Sequence, residues 1–318
     1  MLALSAAFSS VTDNIPLAAM LAKILGADRT YFVLNGTSAS NKVVSGALVK
    51  EGDLVLYDRN NHKSNNYGAL LIGGGIPVYL ETDRNPQGSI GPVHYHAWDE
   101  SAIREKIKNH PLIEDPEAWK KPRPFRLLIM QTVTYDGTIY NVREVLKRVG
   151  HLCEYILFDE AWGSFLKFHP LFDNNCAMDL EVGPEDPGIV STQSTHKQLS
   201  GFSQASQICV KDHHLEGQQR RCGHKRFNEA YLVHASTSPF YPLWASLDVG
   251  NQMMKGRNGF HLWNEAIRTA TEIRKAVRAL QKQFIEEAGS EEEKWFFDPF
   301  VPDKVTLKGS AHHDDVTD

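Results

Sequence analysis

Short apolar runs recur along the chain, and most end in a polar cluster followed by a stretch with helical spacing. The runs are TYFVL (30–34), LVLY (54–57), IPVYL (76–80), FRLLIM (125–130) and YILF (155–158). Each is rich in aromatic and aliphatic residues and too short for a buried helix, so each reads as a strand. Helices are expected between them, over 42–49, 67–72, 99–109 and 142–149. Strand and helix in alternation is the pattern of βαβ units, and therefore of a doubly wound, largely parallel sheet. An opening helix is expected over 14–25, with Asp13 or Asn14 as its cap and Gly26 at its end. The segment 82–98, with Pro86, Gly88, Gly91 and Pro92, reads as loop, and 113–124 as a proline-rich surface connection. A further strand-like run begins at Ile189. Two short helices are expected over 227–233 and 241–254, and a long one over 259–287. In the long helix Trp263, Ala266, Ala270, Ile273, Val277, Leu280 and Phe284 stand three and four apart, which is the spacing of a packing seam.

Composition narrows the class. The chain has 318 residues, 42% hydrophobic and 23% charged, the make-up of one large globular domain or two smaller ones. A net charge of -5 and a pI near 6.3 argue against nucleic acid or an anionic membrane as partner. No apolar run is long enough for a transmembrane helix, and the N-terminus lacks the basic region of a signal peptide. Cys153, Cys176, Cys209 and Cys222 are widely spaced, as free thiols in a reducing, cytoplasmic compartment are. Cys222 and His224 are metal-ligating types, but no second pair stands near them and no metal is expected.

The candidate chemistry sits where strands end, the edge at which α/β folds open their ligand crevice. After the first strand come Asn35, Gly36, Thr37, Ser38, Ala39, Ser40 and Asn41, then a helix start. Free helix N–H groups and the Thr37 and Ser38 hydroxyls suit a phosphate there; the same residues serve equally as plain helix caps. The second strand runs into a polar cluster with His62, suited to stacking on a flat ring or to proton transfer, or else a surface or capping histidine. Asp159 ends the fifth run. An acid buried there needs a partner, and a pyridine nitrogen is one; capping the next helix is the alternative. Last comes Ser194-Thr195-His196-Lys197. A lysine that forms a Schiff base must lose its proton and so belongs in a confined, partly desolvated site; an ordinary surface lysine is the other reading. The order of these features along the chain, together with the strand spacing, favours a pyridoxal phosphate (PLP) site.

Several stretches carry a family resemblance: NGTSASNK (35–42), DRNNHKS (58–64), PVYLETDRNPQGSIGP (77–92), TYDGTIYN (134–141), FDEAW (158–162), STHKQLSGFSQASQI (194–208) and HASTSPFYP (234–242). Together they are similar to the bacterial ornithine/lysine/arginine decarboxylases, PLP enzymes of fold type I, over a span from about Ala19 to Asp303. The resemblance implies a PLP-dependent transferase-like large domain, α/β, with a mostly parallel sheet flanked by helices. It implies that Lys197 forms the Schiff base and Asp159 pairs with the pyridine nitrogen. His62 stacks on one face of the ring, with Ala161 on the other and Trp162 lining the site. Thr37, Ser38, Ser194 and His196 hold the phosphate. Ser236 reaches the phosphate of a partner subunit, so a homodimer or larger homo-oligomer is expected. The implied reaction is loss of CO₂ from a basic amino acid. The stretches 123–159 and GPEDPGI (183–189) look most like the ornithine branch, which gives putrescine, whereas FDEAW and STHK look more like the arginine and lysine branches.

Members of that family are longer, with a wing-like domain and a Cys-Pro-Gly-His-type segment before this region and a small domain after it. The expected organisation is therefore an N-terminally truncated large domain over 1–260, a long helix leading toward an absent C-terminal domain over 261–305, and a disordered tail over 306–318. Such a chain is expected to expose the apolar face of the long helix and Trp295, Phe296 and Phe297. The alternative to a decarboxylase is an inactive remnant that binds PLP or pairs with an intact homologue.

Overall fold

The structure, a computed structural model, describes residues 16–84, 88 and 90–287. The expected cap at Asp13 or Asn14, the aromatic run 295–297 and the tail 306–318 lie outside the described residues.

In chain order the elements are α1 (Pro16–Leu25), β1 (Arg29–Val33), α2 (Gly36–Leu48), β2 (Leu54–Asp58), β3 (Ile76–Leu80), β4 (Thr82–Arg84), β5 (Ile90–Val93), α3 (Glu100–Lys108), β6 (Phe125–Gln131), α4 (Val142–Val149), β7 (Cys153–Asp159), β8 (Gly188–Gln193), the single turn α5 (Thr195–Gln198), β9 (Ser206–Lys211), α6 (His224–His234), α7 (Tyr241–Met253) and α8 (Arg257–Glu287). Seven strands form one sheet in the order β1-β9-β8-β7-β6-β2-β3. The pairs β3–β2, β2–β6, β6–β7 and β7–β8 are parallel, and β9 runs antiparallel to both of its neighbours.

Side chains alternate across the sheet because the strand repeat is two residues. Leu127, Ile129, Tyr155 and Leu157 face one side, where Val43, Val44, Ala47 and Leu48 of α2 and Phe227 and Tyr231 of α6 cover them. Phe125, Leu128, Met130, Ile156 and Phe158 face the other, under Leu21 and Leu25 of α1, Ile103 and Ile107 of α3, and Val142, Val145 and Val149 of α4. A sheet buried on both faces needs continuous apolar strands, which is how β6 and β7 read. The fold class is the expected one: a mostly parallel sheet with helices on both faces.

Local differences have physical reasons. Residues 82–98 are more than loop, since β4 and β5 pair as an antiparallel ribbon followed by a 3₁₀ turn over Tyr95–Trp98. Strand β9 has polar residues at Ser206 and Gln207 and no apolar alternation, and its pairing with β1 and β8 makes it a strand. Helix α2 begins at Gly36, not near residue 42, so Thr37 and Ser38 lie in its first turn. Gly36 there has φ of 72°, a left-handed geometry that glycine adopts without a Cβ clash. The expected helix 67–72 is a π-helix, Asn66–Ile72, a form that gathers at functional sites. The expected seam on α8 packs in its first turns: Trp263 stacks on Phe165 with centroids 4.4 Å apart, and Phe260 on His169 at 5.2 Å. Farther along, Ile273 is 59% exposed.

These burials predict mutational costs. Leu157→Ala, which opens a cavity in the central strand, lowers unfolding free energy by about 2–5 kcal/mol. Ile273→Ala changes it by no more than about 0.5 kcal/mol. Urea unfolding of the two variants checks the difference.

Candidate active site

A cleft of about 400 Å³ opens beside the carboxyl ends of β7 and β8. It is lined by Thr37, Ser38, His62, Asp159, Ala161, Trp162, Ser194, His196 and Lys197 among others. Residues from separate parts of the sequence thus meet in one place. Ser236 does not join them. It is exposed, and lines a neighbouring cleft of about 240 Å³ that shares Asn35 and Gln204 with the first.

Asp159 ends β7 and is 1% exposed. A carboxylate removed from water must find donors in the protein. Its Oδ2 accepts from Asn41 Nδ2 at 2.8 Å and from Asn65 Nδ2 at 3.1 Å, and its Oδ1 accepts from the Ala161 N–H at 3.1 Å. The two asparagines come from α2 and from the segment after His62. The sequence reading gave neither a role. The signal was present in the polar clusters NGTSASNK and DRNNHKSNN, but only folding shows which of their members turn toward Asp159.

Lys197 sits in α5, with its Nζ 4.2 Å from the centre of the Trp162 ring. Its side chain is open to the cleft. Desolvation by the surrounding protein still lowers its pKa below the ordinary lysine value, against the opposing pull of Asp159. A lysine with a weakened hold on its proton in a confined cleft is suited to nucleophilic attack.

Past the carboxyl end of β2, His62 lines the cleft and caps the short turn Lys63–Asn65, its Nδ1 accepting from the Ser64 N–H at 3.3 Å. Desolvation lowers the His62 pKa, opposed by Asp159 and helped by Lys197 and Lys63, which favours the neutral ring.

The hydroxyl group of residues forms a third side. Thr37 Oγ1 lies 2.6 Å from Ser194 Oγ and 2.9 Å from Ser206 Oγ, and Ser40 Oγ lies 2.8 Å from Ser206 Oγ. They stand at the N-terminus of α2, where Asn35 makes no side-chain cap; its amide reaches the His234 carbonyl instead. A long helix with an uncapped end and clustered hydroxyls is able to hold an anion. The Gly36 N–H donates to the Gln204 carbonyl at 2.8 Å. Gln204 itself has φ of 75°, a strained geometry for a residue with a side chain, at the wall between the two clefts. His196 donates from Nδ1 to the Ala205 carbonyl at 2.8 Å, which leaves Nε2 as its other polar atom.

Cys222 and His224 are engaged elsewhere: Cys222 Sγ approaches the Ala47 carbonyl at 3.4 Å, and His224 Nδ1 is 3.0 Å from the Tyr31 hydroxyl. Among the described residues no helix is long and apolar enough to cross a membrane.

The fold and this cleft define a class: an α/β protein whose lysine and aspartate, from successive strand ends, face one crevice. The chain belongs to the Orn/Lys/Arg decarboxylase family, whose major-domain model matches residues 17–314. It is 54% identical to the constitutive ornithine decarboxylase of Escherichia coli over 90% of this chain and 38% of that one. It is 38% identical to a lysine decarboxylase of Pseudomonas aeruginosa over 89% of this chain and 36% of that one. Its fold superposes on the lysine decarboxylase of Francisella novicida with a TM-score of 0.78 at 33% identity, covering 92% of this chain and 37% of that one. The chain therefore spans under two fifths of the length of the relatives it matches.

Glu160, next to Asp159, is fully buried. It accepts from the Ala177 N–H at 2.8 Å, from Gln193 Nε2 at 2.9 Å and from the Ser191 hydroxyl. Desolvation, reinforced by Asp179, pushes its pKa from 4.5 up to about 7. A carboxyl group whose pKa is raised by folding stabilises the fold below its unfolded pKa, and that contribution is lost as pH rises through the folded value. Urea unfolding at pH 5 and pH 8 is expected to show wild-type stability falling on the order of 3 kcal/mol farther than that of Glu160→Gln. The amide of that variant faces Gln193, so it is the less stable protein at pH 5; the smaller pH dependence is the diagnostic result.

Proposed function

We propose that the cleft binds PLP and that the chain carries the cofactor site of a decarboxylase of basic amino acids, acting on ornithine to give putrescine and CO₂. The observation that carries this reading is the placement of Lys197 Nζ, Asp159 and the hydroxyl cluster around one cleft. The donor set fits the cofactor group by group. Among the described residues Asp159 Oδ1 has one donor, the Ala161 N–H, and it keeps acceptor capacity for a pyridinium N–H. Thr37, Ser38, Ser194 and His196 provide donors at the end of α2 where a phosphate is favoured. Lys197 is the amine that would hold the cofactor, and His62 and Ala161, which line the same cleft, would pack against its ring. Ser236 serves the site of a second subunit in a homodimer or larger assembly.

Bound PLP supplies an electron sink for the pair of electrons left when CO₂ departs. The protein's own part is orientation and charge. Asp159, held by Asn41, Asn65 and the Ala161 N–H, keeps a negative charge where a ring nitrogen needs its proton. Trp162 and Ala161 exclude water from the floor of the cleft. Lys197, whose amine would hold the cofactor, lines the same cleft and would carry the proton that replaces the carboxylate. The ornithine assignment is supported by the higher identity to the ornithine enzyme, 54% against 38% for the lysine enzyme.

Absorbance with added PLP tests this reading. A band in the near-visible range is expected for the wild type and is absent in Lys197→Ala. Asp159→Asn retains PLP but slows release of labelled CO₂ from ornithine by on the order of 10²-fold. Ornithine is turned over in preference to lysine and arginine. Failure of the wild type to form the band overturns the cofactor assignment, and equal turnover of lysine overturns the substrate.

A further inference from the structure

Two residues that the sequence reading did not single out join the two sides of the cleft. Asn41 is 1% exposed and Ser64 is 2% exposed. Asn41 Nδ2 donates both to Asp159 Oδ2 at 2.8 Å and to Ser64 Oγ at 3.0 Å, while its Oδ1 accepts from the Thr192 hydroxyl at 2.6 Å. Ser64 Oγ in turn lies 2.8 Å from His62 Nδ1.

The direction of each bond follows from chemistry. A carboxylate accepts only, so the Asn41 atom facing Asp159 Oδ2 is the amide nitrogen. That nitrogen has two hydrogens, and the second points at Ser64. With its oxygen accepting from Asn41, the Ser64 hydroxyl has its own hydrogen left to donate. At His62 the Ser64 backbone N–H, which can only donate, also faces Nδ1. Nδ1 is therefore the bare nitrogen, and the ring proton is on Nε2. Asn41 is held from behind by the Thr192 hydroxyl, and the amide flip that would reverse the chain is blocked at Asp159, whose carboxylate cannot donate to an amide oxygen.

We propose that Asn41 and Ser64 are positioning residues that transmit the charge of Asp159 to His62 and fix its imidazole in the Nε2–H form. The inference rests on the cofactor reading for its catalytic meaning, while the tautomer itself is a property of the protein alone. The device serves the site in two ways. It makes Nε2 a hydrogen-bond donor toward the cleft, suited to an anionic group such as a substrate carboxylate. It also makes His62 and Asp159 respond together, because loss of the acceptor at Asp159 frees Asn41 and with it the Ser64 hydroxyl. The charged groups that bear on the ring are Asp159, which favours its protonation, and Lys197 and Lys63, which oppose it. Buried hydrogen-bond chains of this kind hold direction because each member has one consistent arrangement.

The test is nitrogen NMR of the cofactor-free chain labelled with ¹⁵N-histidine, with His62 assigned by its disappearance in His62→Gln. The wild type is expected to show a protonated Nε2 and an unprotonated, hydrogen-bonded Nδ1 near pH 7.5. Ser64→Ala shifts the Nδ1 resonance toward that of a free imidazole nitrogen, and Ser64→Thr, which keeps the hydroxyl, restores it. Asp159→Asn produces a shift of the same sign although the substitution does not touch His62. A protonated Nδ1 in the wild type overturns the proposal. So does an Nδ1 resonance unmoved by both Ser64→Ala and Asp159→Asn while circular dichroism shows both variants folded. With PLP and ornithine, Ser64→Ala lowers kcat by about 10-fold or more and Ser64→Thr recovers it. Absence of turnover in the wild type counts against the decarboxylase reading and leaves the tautomer result standing.

Discussion

A carboxylate at the end of a central, fully buried strand cannot be solvated by water, so the protein has to solvate it. Asp159 sets this condition, and much of the surrounding structure answers it. Its three donors come from three places: the second turn of α2, the segment following β2, and the backbone just after β7. Those elements can meet only because β2, β6 and β7 are adjacent and parallel, with their carboxyl ends at one edge. The sheet order is thus what makes an ionised aspartate tolerable at this depth. A donor removed from such a group leaves a cost of several kcal/mol, well above what an exposed ion pair contributes.

Much of this was legible in the sequence and some was not. The runs FRLLIM and YILF are apolar enough that no other placement than a doubly covered sheet suits them, and they became β6 and β7. Asp159 stood out because it directly follows such a run, whereas Lys197, four residues past the end of β8, was singled out by its hydroxyl-rich setting and by the family motifs, with a surface lysine as the alternative. Strand β9 could not be read this way. Ser206 and Gln207 are polar yet buried, and their place is set by bonds to Thr37, Ser40 and Gln193 that span the chain. Asn41 and Asn65 were hidden for the same reason. Periodicity identifies apolar faces, whereas a buried amide is recognised only by its partners.

His62 both caps a turn and lines the cleft. As a capping residue it accepts the Ser64 N–H, and as a cleft residue it presents the other side of the same ring. The cap is what decides which nitrogen carries the proton. The hydroxyls of the α2 turn behave alike. Thr37 is bonded to Ser194 and Ser206 rather than to the helix end, so the first turn of α2 keeps N–H groups that an anion can use.

Asp159 and Glu160 are neighbours in sequence with opposite fates, and strand geometry explains both. Side chains alternate across the sheet. Asp159 follows Tyr155 and Leu157 to the face covered by α2, where two asparagine amides and an open cleft await it. Glu160 follows Ile156 and Phe158 to the other face, into a closed pocket with the Ala177 N–H, Ser191 and Gln193. Gln193 receives from Gln207, and Gln207 from Asn251, which also donates to the Leu247 carbonyl of α7. A carbonyl is an acceptor, so it fixes the orientation of Asn251, and each amide then fixes the next, ending with a donor aimed at Glu160. One acid is thereby aimed at the crevice and the other ties α7 to the strand that carries Ser194. The same pair of letters places one acid in the cleft and the other as a buried anchor for the strand that leads to Lys197.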